Sequence, residues 1–154
     1  KGSGISPQLL TLEVTESLFL DDVDKKIESM NRLRDAGFKL SIDDFGTGHA
    51  SIASIRRFSI SRIKIDRSFI DRIGAGEPTD NICRTIIKMA HELGKKAIAE
   101  GAETGEQVDF LKKNKCDFVQ GFFYSAPLAN DDFVLFIEKQ DFHTQRRKAL
   151  EVVK

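Results

Sequence analysis

Apolar positions along the chain recur with two alternating periods. Leu9 to Thr15 (LLTLEVT) is apolar and β-branched and predicts a strand. Asp21 to Ala36 carries Val23, Ile27, Met30 and Leu33 at helical spacing, opens with acids and stops before Gly37, so it predicts a helix. Phe38 to Asp43 (FKLSID) predicts a second strand, Ser51 to Phe58 a short helix, and Ser61 to Asp66 (SRIKID) a third strand. A loop marked by Gly74, Gly76 and Pro78 follows. Asn81 to Leu93 then places Ile82, Ile86, Met89 and Leu93 on one helical face, with Gly94 as its C-cap. Lys96 to Gly101 predicts a fourth strand. Thr104 to Lys115 predicts a helix whose N-cap Thr104 and third residue Gln107 form a capping box. Phe118 to Gly121 predicts a short fifth strand, and Asp131 to Lys139 a helix after Pro127.

Strands alternating with helices of this length imply parallel βα units, an α/β fold built on a parallel barrel or sheet. Such folds place all strand C-terminal ends on one edge, and their chemistry gathers there. The polar residues of this chain fall at that edge. The first strand holds Glu13 and leads into Glu16, the second ends in Asp43 and Asp44, and the third carries Lys64 and ends in Asp66. The fourth ends in Glu100 with Glu103 just beyond, and the fifth ends in Gln120.

Packing alone does not account for that arrangement, because gathered carboxylates repel and lose hydration. A divalent cation relieves both costs. Oxygen donors without His or Cys point to Mg²⁺ or Mn²⁺ rather than zinc. The competing explanation is an ion-pair network in which Lys64 and Arg62 neutralise the acids. Lys64 itself fits either a counter-ion or a group that orients or helps deprotonate a water in two-metal hydrolysis. Gly46 and Gly48 follow the aspartate pair directly; they permit positive φ and close backbone approach, so their loop can position the ligands or cover the site.

Composition narrows the class. The 154 residues suit one domain, with 40% hydrophobic residues for a core. Twenty-four basic residues balance 24 acidic ones, so no global field attracts polymeric nucleic acid or an anionic membrane. No apolar run is long enough to span a bilayer, and the KGSGISPQ start has no signal-peptide core, so a cytoplasmic setting is expected. Cys83 and Cys116 lack metal or redox spacing, and His49, His91 and His143 are scattered.

The motifs LEVTES, DDFGTG, KID, AEGAE and VQGF, in this order, resemble the EAL-domain family, phosphodiesterases of cyclic di-GMP. The resemblance runs from about Gly4 to Ile137 and implies a TIM-type barrel that hydrolyses cyclic di-GMP to linear pGpG. It implies Glu13, Asp43 and Asp44 as metal ligands, and Lys64, Glu100 and Gln120 around the reacting water. Glu16 would steady the Gly46, Thr47, Gly48 loop, Glu103 would support Glu100, and Asp66 would be structural. Pro127 would close the guanine-binding side. In the loop, His49 and Ala50 stand where the family usually has an aromatic residue and a serine.

The Glu-Ala-Leu tripeptide and its metal-binding glutamate are not in this sequence. Five βα units stand against the eight strands and roughly 250 residues of a closed barrel. Residues 1–140 are therefore expected to be the C-terminal portion of an EAL domain, with 141–154 a charged tail or helix. Such a remnant is expected to expose strand edges and apolar inner faces, and to be inactive alone. Its expected partners are cyclic di-GMP, the N-terminal part of the domain, an upstream sensor domain that can tether the parent to a membrane, and a second copy in a homodimer. The alternative is a catalytically inactive EAL-like module that binds cyclic di-GMP or a protein.

Overall fold

The computed structural model describes residues 4–19, 23–46, 48 and 52–139. Its strands are β1 (Thr11–Thr15), β2 (Lys39–Phe45), β3 (Arg62–Ile65), β4 (Lys96–Glu100) and β5 (Phe118–Gln120). They form one all-parallel sheet in the order β1-β2-β3-β4-β5. Helix α1 (Val23–Asp35) joins β1 to β2, and α2 (Ile52–Arg57) joins β2 to β3. Helices α3 (Arg67–Ile70) and α4 (Glu77–Glu92) join β3 to β4, and α5 (Gly105–Lys113) joins β4 to β5. The chain divides into two compact units, Lys1–Tyr124 and Ser125–Lys154. The sheet lies in the first; the described part of the second holds α6 (Asn130–Lys139), whose Phe133, Val134, Leu135 and Ile137 are exposed. The expected tail 141–154 lies outside the described residues.

Parallel register and side-chain alternation sort the sheet into two unlike faces. One face carries Leu40, Ile42, Ile63, Ile65, Ala97 and Ala99, all buried. Met30, Ile55, Ile70, Ile87, Ala90, Val108 and Leu111 from the helices join them in one apolar core. The other face carries Glu13, Ser41, Asp43, Arg62, Lys64, Lys96, Ile98, Glu100, Phe118 and Gln120. The expected apolar inner face of the strands is therefore corrected: it is polar except for Ile98 and Phe118. Phe118 lies under two cations, with the Arg62 guanidinium 5.0 Å and the Lys96 ammonium 5.4 Å from its ring centroid.

Other departures have local causes. The segment after β3 is not all loop, because Asp66 caps α3 by accepting the Ser68 backbone N–H at 2.9 Å. Helix α4 starts at Glu77 rather than near Asn81, with Pro78 in its first turn, where a missing N–H costs nothing. The capping box on α5 forms as expected, with Gln107 N donating to Thr104 Oγ1 at 3.2 Å and Thr104 N to Gln107 Oε1 at 3.0 Å. Among the described residues no helix is long and apolar enough to cross a membrane.

Asp117, just before β5, ties the end of α4 to the start of β4. Its carboxylate takes the Ala97 backbone N–H at 2.9 Å, contacts His91 Nε2 at 2.8 Å, and receives Lys96 Nζ at 3.3 Å. Burial pushes this carboxyl up, but the Ala97 amide, His91 and Lys96 outweigh it and hold it below its usual 3.8. A depressed acid stabilises the fold fully above its unfolded pKa and loses that contribution as pH falls through the folded one. Asp117→Ala is expected to destabilise the protein by about 1–3 kcal/mol in urea unfolding at pH 7. The gap to wild type should narrow as pH drops below about 4; a gap independent of acid would contradict this account.

Candidate metal centre

Two adjacent residues of a regular strand point to opposite faces, so Asp43 and Asp44 could not both reach one site from an undistorted β2. The strand is not regular there. Ile42 pairs with Ile63, but Phe45 pairs with Ile65, so β2 carries one extra residue against β3. This is a β-bulge. Asp44 takes the left-handed conformation at φ 52°, which aspartate tolerates better than most residues, and its backbone N–H donates to Asp43 Oδ1 at 3.2 Å. The bulge brings both carboxylates to the same rim as Glu100. One oxygen from each of Asp43, Asp44 and Glu100 lies within 4.8 Å of the other two.

Lys64 stands beneath this group. Its ammonium lies 2.7 Å from Glu13 Oε2, 2.8 Å from Asp43 Oδ1 and 2.6 Å from Glu100 Oε1. Its side chain is only 7% exposed, against 26% for Asp43, 19% for Glu100 and 46% for Glu13. Burial alone would lower its pKa, but hydrogen bonds to Asp43, Glu100 and Glu13 outweigh burial and hold the ammonium well above its ordinary range. It is therefore a fixed positive charge.

One ammonium does not neutralise the rim. Burial pushes the Glu100 carboxyl up against the opposing pull of Lys64, and the Asp43 and Glu13 charges push it further. Partial desolvation, then the charges of Asp43 and Asp66, push Asp44 up, and Asp44 also shares a carboxyl hydrogen bond with Asp66. Acids raised in this way favour either a proton or a cation. The donors are all hard oxygens, two from β2 and one from β4, so the site fits a hard divalent cation.

Glu16 is 5% exposed, and its Oε2 accepts the backbone N–H groups of Gly46 at 3.1 Å and Gly48 at 3.0 Å. A Cβ on Gly48 would sit 2.9 Å from the Glu16 carboxyl carbon, so the loop closes on the glutamate only with glycine there. Thr47, His49 and Ala50 lie outside the described residues. Asp66 caps α3, accepting both the N–H and the hydroxyl of Ser68. Gln120 pairs in register with Glu100 across β4 and β5, and its carbonyl accepts the Ala102 N–H at 3.2 Å. Glu103 is held by Arg67, whose Nη2 donates to its Oε1 at 2.6 Å. Pro127 lies in the second unit. The sequence reading missed Arg67 and the wider role of Gln107. Gln107 Oε1 also accepts the Glu103 N–H at 2.7 Å, and its Nε2 donates to the Ile70 carbonyl at 3.2 Å. The one available signal for Arg67 was its place directly after Lys64-Ile65-Asp66.

A parallel α/β sheet with a carboxylate cluster and a buried lysine at the C-terminal ends of its strands places its candidate site on the edge where such folds gather their chemistry. The chain belongs to the EAL domain family, whose match spans residues 1–127. It is 45% identical over 126 residues to the cyclic di-GMP phosphodiesterase NbdA of Pseudomonas aeruginosa, covering 82% of this chain and 16% of that protein. It is 43% identical over 136 residues to the signaling protein YkoW of Bacillus subtilis, covering 88% of this chain and 17% of that protein. The chain thus spans about one-sixth of these relatives. The PaMucR phosphodiesterase in complex with c-di-GMP superposes with a TM-score of 0.80 at 36% identity, covering 84% of this chain and 52% of that one. Klebsiella pneumoniae BlrP1, solved with manganese and cyclic di-GMP, superposes with a TM-score of 0.73 at 32% identity, covering 80% of this chain and 32% of that one.

Removing the Lys64 charge tests the cluster as a physical unit. Lys64→Met leaves Glu13, Asp43 and Glu100 unopposed and is expected to destabilise the protein by about 2–3 kcal/mol in urea unfolding at pH 7. That is below the 3–5 of a fully buried pair because Glu13 stays half exposed. Mn²⁺ should raise the melting temperature of Lys64→Met more than that of wild type, since the cation replaces the lost charge. An equal rise in both would contradict a shared electrostatic role.

Proposed function

We propose that the protein carrying this chain hydrolyses one phosphodiester bond of cyclic di-GMP, giving linear pGpG, with Mg²⁺ or Mn²⁺, in cytoplasmic signalling. The observation that carries the proposal is the convergence of Asp43, Asp44 and Glu100 oxygens within 4.8 Å of one another, beside the buried Lys64 ammonium. Asp43 and Asp44, with Glu100 and Glu13 beside them, would hold the cation. A bound divalent cation supplies charge neutralisation at the phosphate and a more acidic attacking water.

The chain's own residues do the rest. Lys64 stays protonated, keeps three carboxylates from repelling one another, and presents positive charge beneath the phosphate site. Glu100, with its carboxyl raised by burial, is a better proton acceptor than an exposed glutamate and takes up the proton of the attacking water at a carboxylate oxygen. Gln120, across from Glu100, orients that water, and Glu103 supports Glu100. Glu16 holds the backbone at Gly46 and Gly48, next to the aspartates. Residues 1–140 act as the C-terminal portion of an EAL domain and 141–154 as its tail. Because β1 and β5 are both edges of an open five-stranded sheet, an opposite wall from the remaining barrel segment, under an upstream sensor domain, would complete the substrate site.

The test is hydrolysis of cyclic di-GMP by the intact protein, followed chromatographically. Expected are pGpG formation with Mg²⁺ or Mn²⁺, none after chelation, and a loss of about 100-fold or more in Asp44→Asn, as several kcal/mol of charge stabilisation disappear. The isolated 154-residue chain should show negligible turnover. Binding of cyclic di-GMP without cleavage by the metal-replete intact protein would replace this reading with that of an inactive sensor.

A further inference from the structure

We propose that Arg67 is a positioning residue for the acidic rim. It holds the loop after β4, and with it the Glu100 and Glu103 carboxylates, against the Lys64 cluster. This rests on the phosphodiesterase reading above.

Arg67 is the first residue of α3 and lies three positions after Lys64. Its guanidinium reaches two acids at once, Glu103 through Nη2 at 2.6 Å and Asp71 through Nε at 3.2 Å. Asp71, one helical turn on, fixes the fork, and the fork aims at Glu103. The aliphatic stem makes the second contact. It crosses Gly101, the residue after Glu100, so closely that a Cβ there would lie 2.5 Å from Arg67 Cγ and 2.8 Å from Cδ. Gly101 also sits at φ +78°, which glycine adopts without strain.

Beyond Gly101 the backbone of this loop is fixed by hydrogen bonds. Ala102 N–H donates to the Gln120 carbonyl at 3.2 Å, Phe123 N–H donates to the Ala102 carbonyl at 3.0 Å, and Gln107 takes the Glu103 and Thr104 N–H groups. Arg67 adds a cation that reaches past the backbone to the Glu103 carboxylate. Fold stability does not explain it, because half-exposed ion pairs of this kind contribute little. A guanidinium stem seated over a glycine that has no room for a side chain fits alignment of the loop instead. One short segment thereby reaches the whole rim, with Lys64 on Glu13, Asp43 and Glu100, Asp66 beside Asp44, and Arg67 on Glu103.

The sign of the effect on cation binding separates positioning from simple charge. If Arg67 only adds positive charge, its removal should leave Mn²⁺ binding unchanged or tighten it. If it aligns the carboxylates, removal should weaken binding. The experiment titrates Mn²⁺ by electron paramagnetic resonance and measures kcat and KM for cyclic di-GMP in the intact protein. Arg67→Gln is expected to weaken Mn²⁺ binding about 10-fold and to lower kcat about 10-fold, with KM nearly unchanged and a near wild-type melting temperature, as outer partners of metal ligands do. Arg67→Lys keeps the stem and one charge and should recover part of both losses. Asp71→Asn, which frees the guanidinium fork with Arg67 and Gly101 intact, should reproduce part of them, so the proposal stays testable if Arg67→Gln fails to fold. Unchanged or tighter Mn²⁺ binding with wild-type kcat in Arg67→Gln, or in Asp71→Asn where Arg67→Gln does not fold, overturns the role of Arg67 alone. A wild-type protein that neither binds Mn²⁺ nor cleaves the dinucleotide overturns the phosphodiesterase reading and this proposal together.

Discussion

Three carboxylates share one buried ammonium, and the rest of the rim is arranged around that fact. Glu13, Asp43 and Glu100 come from β1, β2 and β4, on either side of the β3 that carries Lys64, and each finds Lys64 Nζ within 2.8 Å. Without the lysine, a parallel sheet that delivers acids to one edge would splay there or protonate them. With it, the acids stay close enough to converge, yet remain under-neutralised, as the raised Asp44 and Glu100 carboxyls record. The lysine thus makes the cluster foldable while leaving it a charge deficit that a divalent cation can fill. The ion-pair network and the metal-ligand reading, which compete as explanations when only the sequence is read, are compatible in one structure.

The second constraint is geometric. A two-residue period cannot aim adjacent side chains at one point, and the bulge between Ile42 and Phe45 removes that obstacle with a single extra residue. Just beyond this distortion, the Gly46 and Gly48 N–H groups end on Glu16, the residue after β1. A change in the aspartate pair is therefore felt in the loop, and a change in the loop is felt at Glu16. Gly46 shows how tightly this is drawn: a Cβ there would meet the Phe69 ring at 2.8 Å.

The strands, most helices and the acidic rim were legible because they depend on local periodicity and on which residue ends each strand. Thr104 and Gln107 announced their capping box through spacing alone. The bulge was not legible, since Asp43-Asp44 reads equally well as a strand end, and the register against β3 is a property of two strands together. Helix α3 has four residues, too few to show a period, and only the Asp66 to Ser68 bond reveals its start. Arg67 was missed for the same reason. Its partners Gly101 and Glu103 are more than thirty positions away, and nothing in the local pattern marks a stem that must cross a glycine.

The polarity of the sheet's second face changes what an open sheet means here. An apolar inner face would make this half-circle of strands dependent on a partner for stability, because the exposed area would drive association on its own. Instead the helices bury the apolar face completely at Leu40, Ile42, Ile63, Ile65, Ala97 and Ala99. The other face satisfies many of its polar groups internally: Lys64 among acids, Arg62 on the Thr11 hydroxyl at 3.3 Å, Arg62 and Lys96 over Phe118. Stability and chemistry are carried by opposite faces of the same strands. A sheet built this way can hold its carboxylates in place on the strength of the helix-side core. Under the proposed function, a wall added opposite the sheet would complete a half that is already formed, not fold it.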